Sequence, residues 1–357
     1  MLIAIDASPC RPSTTDDAIF DNLQPKELLR YSQASRTTHD AVSSYIRRNF
    51  ILQRVLGRYF SDNDILELRH MQYNTGALIS GSTVLQFFDR SYYPESDLDI
   101  YVRFDCRRDI ALWLEKKGYT MQPYAKNPGA NLCDVLDEMT MQPSDDPFYP
   151  GSFIILEFLK NRGDIKSKIQ LLLANDCPIA SILRFHSSEY FSASRRSLQP
   201  VTIMIACVMN FIAYDRAYSL YPKGTFITRQ SLVTKLVMLH FNECQLAFNK
   251  YKARGWDVLW TADKLRSYAN SPFRTELRRV GDSECWTIPI LPKLDLPPNT
   301  LEGNTWTLNL RSSRGQSSEH TFFVISPPNS RFSFTAARTL LPYLRDKLKK
   351  GYSDADK

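Results

Sequence analysis

The chain of 357 residues lacks the patterns that mark several large classes of enzymes and binding proteins. Its seven cysteines are widely spread and form no CxxC pair, so the sequence predicts neither a disulfide framework nor a zinc site. A P-loop, a GxGxxG motif, a Ser-His-Asp order and internal repeats are also missing. Cysteines without a disulfide framework are typical of a reducing compartment, and we expect the cytoplasm or the nucleus.

Long apolar runs are also lacking. The most apolar run, VTIMIACVMNFIAY from Val201 to Tyr214, is shorter than the ~20 residues of a membrane span and contains Asn210. We therefore expect this run to form a buried helix, and we expect no association with a membrane. The opening, MLIAIDASPC, has too short an apolar run for a signal peptide and reaches Asp6 at once.

The positive charge of the chain is not concentrated in one block. The formal net charge of +7 and the isoelectric point near 8.9 favour polyanionic over polycationic partners. Because lysines and arginines are scattered, nucleic acid is permitted as a partner but not indicated. The content of 43% hydrophobic and 23% charged residues is that of a globular protein with a sizeable buried core.

The first 60 residues divide into a tail and a helical element. Residues 1–18 contain the stretch SPCRPSTTDD, which predicts a flexible tail, and residues 19–60 carry short helical faces. Within the second segment, LQPKELLRYSQASRTTHDAV resembles the later helices of an F-box. The resemblance implies that exposed Leu28 and Leu29 dock the chain on the adaptor subunit of a cullin-based ubiquitin ligase. An ordinary helical cap explains the same pattern.

Strands and helices are mixed through residues 61–185, which predicts a mixed sheet flanked by helices. The predicted elements are a helix from near Asn63, the strand ALIS, a short helix after Ser82, the strand DLDIYVRF, the helix RRDIALWLEKKGY and a hairpin of FIILEFLKN and IKSKIQLLLA. Residues 186–270 predict a mainly helical region, and residues 271–357 predict strands and then an amphipathic helix, FTAARTLLPYLRDKL. The expected fold class is α/β or α+β.

One stretch, GALISGSTVLQFFDRSYYPESDLDIYV, combines the features of a nucleotide and metal site. Asp97 and Asp99 are two apart in a predicted strand, so both carboxylates point to the same face. Two such carboxylates suit Mg²⁺ or Mn²⁺ when triphosphate oxygens and water supply the other ligands. Gly81 permits a close approach of the backbone, and the amides that open the helix after Ser82 can face a phosphate.

A solvated strand start is the alternative interpretation of this stretch. An Asp-x-Asp pattern occurs twice more, at Asp62/Asp64 and at Asp354/Asp356. Neither of those pairs lies in an apolar strand, and neither follows an SGS turn. The combination at residues 81–99 therefore favours the nucleotide site.

The Gly-Ser pair, the helix and the Asp-x-Asp strand resemble the nucleotidyltransferase fold of DNA polymerase β, poly(A) polymerases and antibiotic nucleotidyltransferases. The spacing is closest to the variant in AbiEii-type toxins, since GSTVL leads here to ESDLD. The resemblance implies a protein that binds NTP with Mg²⁺ or Mn²⁺. It also implies transfer of a nucleoside monophosphate to a hydroxyl of a protein, an RNA or a small molecule, with release of pyrophosphate.

The chain is also similar to a group of fungal proteins that pair an F-box-like start with this motif and then carry FHS, VMNFI and SLYPKGTF. Those segments are more nearly continuous in the group. The resemblance therefore implies that residues 189–206 are an insertion, or a stretch that a correctly spliced message would lack.

The third carboxylate that the resemblance implies, on a neighbouring strand, is not at the aligned position. That position in IKSKIQLLLA is Gln170, which can coordinate a metal but cannot take a proton. Glu157, in FIILEFLK, is the candidate substitute, with a paired structural role as the alternative. Lys168, with Lys166 beside it, is a candidate contact for the triphosphate, although a solvated face explains both lysines equally well. His186 is a weaker candidate against a structural role.

Two functions are consistent with these residues. The first is a nucleotidyltransferase-fold protein whose catalytic residues are Asp97, Asp99 and Glu157. Its nucleotide contacts would be Gly81, Ser82 and Lys168. The second is a catalytically inactive adaptor that recognises substrates in the manner of an F-box protein or senses nucleotide. Gln170 favours the second function, and the intact Gly-Ser and Asp-Leu-Asp motifs favour the first.

Overall fold

The computed structural model describes residues 14–122, 131–140, 154–163, 165–175, 177–184, 203–236, 248–259, 271–311, 317–326, 331–340 and 342–343. It is a mixed α/β fold whose sheets contain parallel and antiparallel strands. The helices are α1 Thr14–Phe20, α2 Pro25–Ser32, α3 Arg36–Asn49, α4 Gln53–Leu56, α5 Asp62–Thr75, α6 Gly81–Asp89, α7 Arg107–Lys116, α8 Leu132–Glu138 and α9 Pro178–Arg184, and residues 248–253 are also helical.

The strands are β1 Leu78–Ser80, β2 Leu98–Arg103, β3 Thr120–Met121, β4 Ile154–Arg162, β5 Ile165–Ala174, β6 Ile203–Ile205, β7 Asn210–Ile212, β8 Arg216–Ser219, β9 Gln230–Leu236, β10 Asp257–Leu259, β11 Leu277–Arg279, β12 Trp286–Pro289, β13 Thr305–Arg311, β14 Ser317–Ile325 and β15 Phe334–Ala337. The main sheet has the order β12-β8-β7-β1-β2-β5-β4-β3. Its strands pair antiparallel except for β2 and β5, which run parallel. Two smaller sheets have the orders β10-β9-β6 and β11-β13-β14-β15.

The centre of the main sheet is a strand, helix and strand unit formed by β1, α6 and β2. Gly76 ends α5 in the left-handed conformation, with φ of 70°, and its amide donates to the Gln72 carbonyl at 2.9 Å. All three residues of β1 are buried, and α6 buries Val84 and Phe88 in the main core. The predicted strands ALIS and DLDIYVRF are thereby confirmed, as are the helices near Asn63 and at 107–116 and the hairpin of β4 and β5.

The two faces of the main sheet bury different residues because side chains alternate along each strand. One face places Ile79, Ile100 and Leu171 in the larger hydrophobic cluster. The opposite face places Leu78 and Tyr101 in a second cluster. Asp99 lies two residues before Tyr101, so the predicted site belongs to this second face.

The helix predicted for 201–214 is wrong. This run contains β6, a 3₁₀ turn at Ala206–Val208 and β7, and β7 pairs with β1 inside the main sheet. A short run that is apolar on all sides has no periodicity by which a buried helix differs from a buried strand. The described part of 186–270, predicted to be mainly helical, likewise contains β6 to β10.

Three further boundaries differ from the sequence prediction. Residues 14–18, predicted as part of a flexible tail, lie in α1. Phe334–Ala337, predicted to open an amphipathic helix, is strand β15 because it pairs with β14. Of the proposed insertion 189–206, only residues 203–206 are described, and Ile203–Ile205 pairs with β9. No helix in the described part of the chain is long and apolar enough to cross a membrane.

The N-terminal helices pack onto the rest of the chain. Phe20 and Tyr45 meet edge to face with ring centroids 5.3 Å apart, and Arg90 Nη1, just after α6, donates to the Phe20 carbonyl at 2.9 Å. Leu28 is 1% exposed and belongs to the main hydrophobic cluster, while Leu29 is partly buried. The helical element is confirmed, but the expected exposure of Leu28 is wrong, because this side chain packs into the chain's own core. Docking on a ligase adaptor subunit stays a prediction.

Candidate functional site

Four strands bring the predicted site residues into one row. Ser80 of β1 pairs with Asp99 of β2, Asp99 with Gln170 of β5, and Gln170 with Glu157 of β4. Residues paired across a sheet share a face, so these side chains point to the same side. Lys168 lies two residues before Gln170 and reaches Asp97 on that side. The fold therefore brings together Asp99, Glu157 and Lys168 from three strands and Asp97 from the residue just before β2.

Gly81 makes direct room for one of the two aspartates. Its φ is 75°, and a Cβ at this position would lie 1.9 Å from Asp99 Oδ2. Any side chain would therefore collide with the carboxylate, and most would also be strained by the positive φ. The glycine predicted for close backbone approach is required here by Asp99 itself.

The start of α6 is fastened to the segment that carries Asp97. Ser82 Oγ donates to Ser96 Oγ at 3.0 Å, and Thr83 Oγ1 donates to the Asp97 carbonyl at 2.8 Å. Ser80 does not cap the helix, because its hydroxyl donates to the Asn210 carbonyl at 2.6 Å. Ser82 thus aligns the helix with the aspartate strand, and the first amides of α6 receive no capping bond from the Ser80 side chain.

The two aspartates are half-buried and repel each other electrostatically. Burial raises the pKa of Asp99 to about 7, and the negative charge of Asp97 adds to this rise. Burial also raises the pKa of Asp97, although the positive charge of Lys168 opposes the change. A cation held between the two carboxylates would relieve the cost of their burial and of their repulsion.

Lys168 places a positive charge among the acidic side chains of this row. Its Nζ lies 2.8 Å from Glu157 Oε1 and 3.3 Å from Asp97 Oδ2. Burial alone would lower the pKa of Lys168, but the hydrogen bond to Glu157 and the charges of both carboxylates outweigh burial and raise the pKa. Glu157 is consequently held in an ion pair, as in the structural alternative that the sequence left open.

Gln170 occupies the predicted third position and connects Asp99 with Lys168. With its amide nitrogen turned toward Asp99, it donates to Asp99 Oδ1 at 3.0 Å, and its amide oxygen accepts from Lys168 Nζ at 3.3 Å. The opposite orientation gives a single bond of 3.3 Å to Glu157 and sets the amide oxygen against a carboxylate. The first orientation is favoured because it satisfies both ends of the amide.

Lys250 is a member of the site that the sequence interpretation missed. It lies in the helical segment 248–253, and its positive charge opposes the rise that burial causes in the pKa values of Asp97 and Asp99. More than 150 residues separate it from the aspartates in the sequence, and no motif surrounds it. Only the tertiary fold could identify it.

The loop before Asp97 is held by side chains that were not predicted either. Tyr59 Oη donates to the Ser96 carbonyl at 2.6 Å, and Arg58 Nη1 donates to the Tyr93 carbonyl at 2.8 Å. Arg254 stacks over the Tyr93 ring at 3.8 Å from its centroid and pairs with Glu95 at 2.7 Å. These contacts fix the segment that presents Asp97.

The donor set fits one hard divalent cation. Asp97 and Asp99 offer carboxylate oxygens, which Mg²⁺ and Mn²⁺ prefer, and Gly81 leaves the space that the Asp99 carboxylate fills. Within the described ranges, no group of three His, Cys, Asp or Glu side chains is placed to hold a metal ion. A cation at this site would therefore need ligands from phosphate oxygens or water in addition to the two aspartates.

His186 lies outside the described residues. Lys166 is exposed on β5, two residues from Lys168. Comparisons of the chain with protein-family models, with curated proteins and with solved structures gave no match.

Proposed function

We propose that the chain is a nucleotidyltransferase-fold protein that binds a nucleoside triphosphate together with Mg²⁺ or Mn²⁺. The observation that carries the proposal is the fit between Gly81 and Asp99, because a glycine at the start of a helix makes room for a carboxylate that shares a face with Asp97. The mixed sheet around this unit, with β5 beside β2, supports the same fold.

Asp97 and Asp99 would hold the cation, which would supply positive charge to the triphosphate. The amides at the start of α6 face the same end of β1, where helix amides and the helix dipole favour an anion. Lys250 acts electrostatically on both aspartates, and its positive charge would also favour a bound phosphate.

Binding is better supported than transfer of a nucleotidyl group. Transfer needs a base for the attacking hydroxyl, and Gln170 cannot accept its proton. Glu157 is ion-paired with Lys168 at 2.8 Å, so it is not available as a base without breaking that pair. We therefore propose a nucleotide-binding protein in which transfer is slow or absent.

Thermal unfolding with nucleotide and metal tests the binding. ATP, GTP, CTP and UTP should each be added with and without Mg²⁺, since a ligand that binds only the folded state raises the midpoint. The wild type should gain stability only when cation and nucleotide are both present, and D97N/D99N should lose that gain. D354N/D356N is the matched control, because it changes the same motif and the same charge elsewhere in the sequence. A gain that needs no cation, or that persists in D97N/D99N, would refute the site.

Gln170→Asp tests the account of transfer. The substitution adds a carboxylate opposite Asp99, whose repulsion is relieved when a cation binds, so Mg²⁺ should bind more tightly than to wild type. Incubation with each labelled NTP and Mg²⁺ or Mn²⁺ should then give transfer by Q170D, to itself or to components of an extract, above the wild-type level. If the wild type transfers efficiently and Glu157→Gln abolishes that transfer, Glu157 is the base and this account is wrong.

A further inference from the structure

A cavity lies at the other end of β1 from the aspartates. Its volume is about 430 Å³, and it is lined by Gly76, Ala77 and Leu78 at the start of β1 and by Arg103 at the end of β2. Ser80 and Asp99, in contrast, lie where β1 ends and β2 begins. The cavity is therefore separate from the aspartate site.

The cavity walls are mainly apolar and aromatic. Tyr73, Tyr214, Phe332 and Phe334 contribute rings, and neighbouring walls come from the start of α9 and from residues 297–301. A volume of this size falls within the ~300–1,000 Å³ that is typical of small-molecule sites. Such walls favour a flat apolar body over a sugar or a phosphate chain.

One lining residue, Gln72, has a buried polar atom that lacks a partner. Gln72 is 2% exposed, and its Nε2 donates to the Ile212 carbonyl at 2.8 Å and to the Ala77 carbonyl at 3.3 Å. These bonds fix the orientation of the amide, and Gln72 Oε1 accepts no hydrogen bond from the described part of the chain. A buried acceptor of this kind is costly to leave unpaired, so a ligand hydroxyl or N–H would be stabilised beside it.

A positive charge lies at the edge of the same cavity. Arg331 stacks near the rings of Tyr73 and Phe332, at 5.0 Å from each centroid, and its Nη2 donates to the Asn74 carbonyl at 2.7 Å. Among the described residues it forms no ion pair, whereas Arg103 is paired with Asp105. An adjoining hollow of about 480 Å³ shares Arg103, Arg331 and Ser333 with the cavity, so this edge is the polar one.

We propose that this cavity binds a small aromatic carboxylic acid. Its apolar body would lie among the rings of the cavity, its carboxylate would pair with Arg331, and a hydroxyl on the body would donate to Gln72 Oε1. The stacked guanidinium is already oriented by its ring contacts and by Asn74, so pairing with a carboxylate orders little further side-chain freedom.

Three probes of one shape test the proposal by calorimetry on the full chain. These are 6-hydroxy-2-naphthoate, 2-naphthoate without the hydroxyl, and 2-naphthol without the carboxylate. The hydroxynaphthoate should bind most tightly, and each simpler probe should bind about tenfold more weakly, the usual effect of one lost charged or buried hydrogen bond. Equal affinities for all three, or no binding of any, would overturn the proposal.

Two variants locate the binding. Arg331→Met keeps the stem over the rings but removes the charge, so it should weaken 2-naphthoate about tenfold and leave 2-naphthol unchanged. Arg338→Met is the matched control, because Arg338 also stacks at 5.0 Å from a ring, that of Phe323, but is not part of the lining.

Gly303 lines the cavity, and a Cβ there meets nothing within 4 Å, so Gly303→Leu should fold and weaken the binding of all three probes. Unchanged binding in both R331M and G303L would place the probes elsewhere and refute the site.

Discussion

The two ends of β1, a strand of three residues, differ in polarity: one end is charged and the other is apolar. At the Ser80 end, one face of the sheet presents Asp99, Gln170 and Glu157 in a row, with Lys168 neutralising part of their charge. At the Leu78 end, the same face turns apolar and continues into a cavity with aromatic walls. This change from polar to apolar takes place between neighbouring residue pairs on one face. Asp99 pairs with Gln170, and two residues further along the same strands Tyr101 pairs with Leu172.

The side chains at the polar end are held by more mutual contacts than those at the apolar end. Each charged group of the aspartate row constrains a neighbour, and even Gly81 is fixed by the position of Asp99. The cavity, in contrast, tolerates open space at Gly303 and leaves Gln72 Oε1 without a hydrogen bond from the described residues. Substitutions should therefore have larger effects at the aspartate end.

The largest effect is expected for Gly81→Ala. The new Cβ would lie 1.9 Å from Asp99 Oδ2, so either the carboxylate or the helix must move, in addition to the cost of a positive φ. We expect a loss of ~3–5 kcal/mol in the free energy of unfolding, measured by urea denaturation, together with loss of metal-dependent nucleotide binding.

Gly118→Ala provides the control for this substitution. Gly118 has φ of 82°, but a Cβ there would contact only the end of the Lys160 side chain, at 3.5 Å. Only the conformational cost of ~1–2 kcal/mol should remain, and nucleotide binding should be retained. Equal costs for the two variants would mean that Asp99 does not constrain Gly81.

The next effect concerns the pH dependence of stability without metal. Burial raises the pKa of Asp99 to about 7 in the folded chain, so the folded state holds this proton more tightly than the unfolded state does. The stabilisation is complete below the ordinary pKa near 4 and is lost as the pH rises through 7. Between pH 5 and 7 the free energy of unfolding should fall by up to ~1.4 kcal/mol per pH unit more in wild type than in Asp99→Asn. Parallel profiles for the two proteins would show that Asp99 does not titrate in this range.

A smaller effect is expected for Lys168→Met, with Mg²⁺ alone as the ligand. Without the lysine, Asp97 and Glu157 lose their shared cation, and a divalent ion gains more by binding near them. The affinity for Mg²⁺ should rise about tenfold, which corresponds to ~1.4 kcal/mol and can be measured by calorimetry. Lys166→Met is the control, because Lys166 is exposed on the same strand and forms no ion pair with the described residues. An equal change in K166M would assign the effect to net charge alone.

The smallest effect is the coupling between the two ends of β1. Because the two sites lie at opposite ends of β1 and β2 and have no residue in common, stabilisation by Mg²⁺ with ATP and by 6-hydroxy-2-naphthoate should add to within ~0.5 kcal/mol in thermal unfolding. A larger deviation, of either sign, would show that the strand transmits binding at one end to the other.

Much of the aspartate end could be predicted from the sequence because its elements are local. Gly81, Ser82, Asp97 and Asp99 lie within 19 consecutive residues, where the two-residue period of a strand and the glycine at a helix start place each side chain. The hairpin of β4 and β5 also has a turn and two apolar arms that predict it, and the family resemblance points within it to Gln170 and Glu157 as candidates for the third position. Their partners were not predictable, because the ion pair of Glu157 with Lys168 depends on how two strands register.

The sequence by itself determined the strand, helix and strand unit, the hairpin and the shared face of the two aspartates, because short-range periodicity fixes the direction of side chains along one element. Only the tertiary structure decided that Ile203–Ile205 and Asn210–Ile212 pair as strands, that Lys250 acts on the aspartates and that Leu28 is buried by its own chain. It alone also assembled the cavity from segments between residues 72 and 334. Contacts between distant segments depend on strand order and packing, and no local pattern records these.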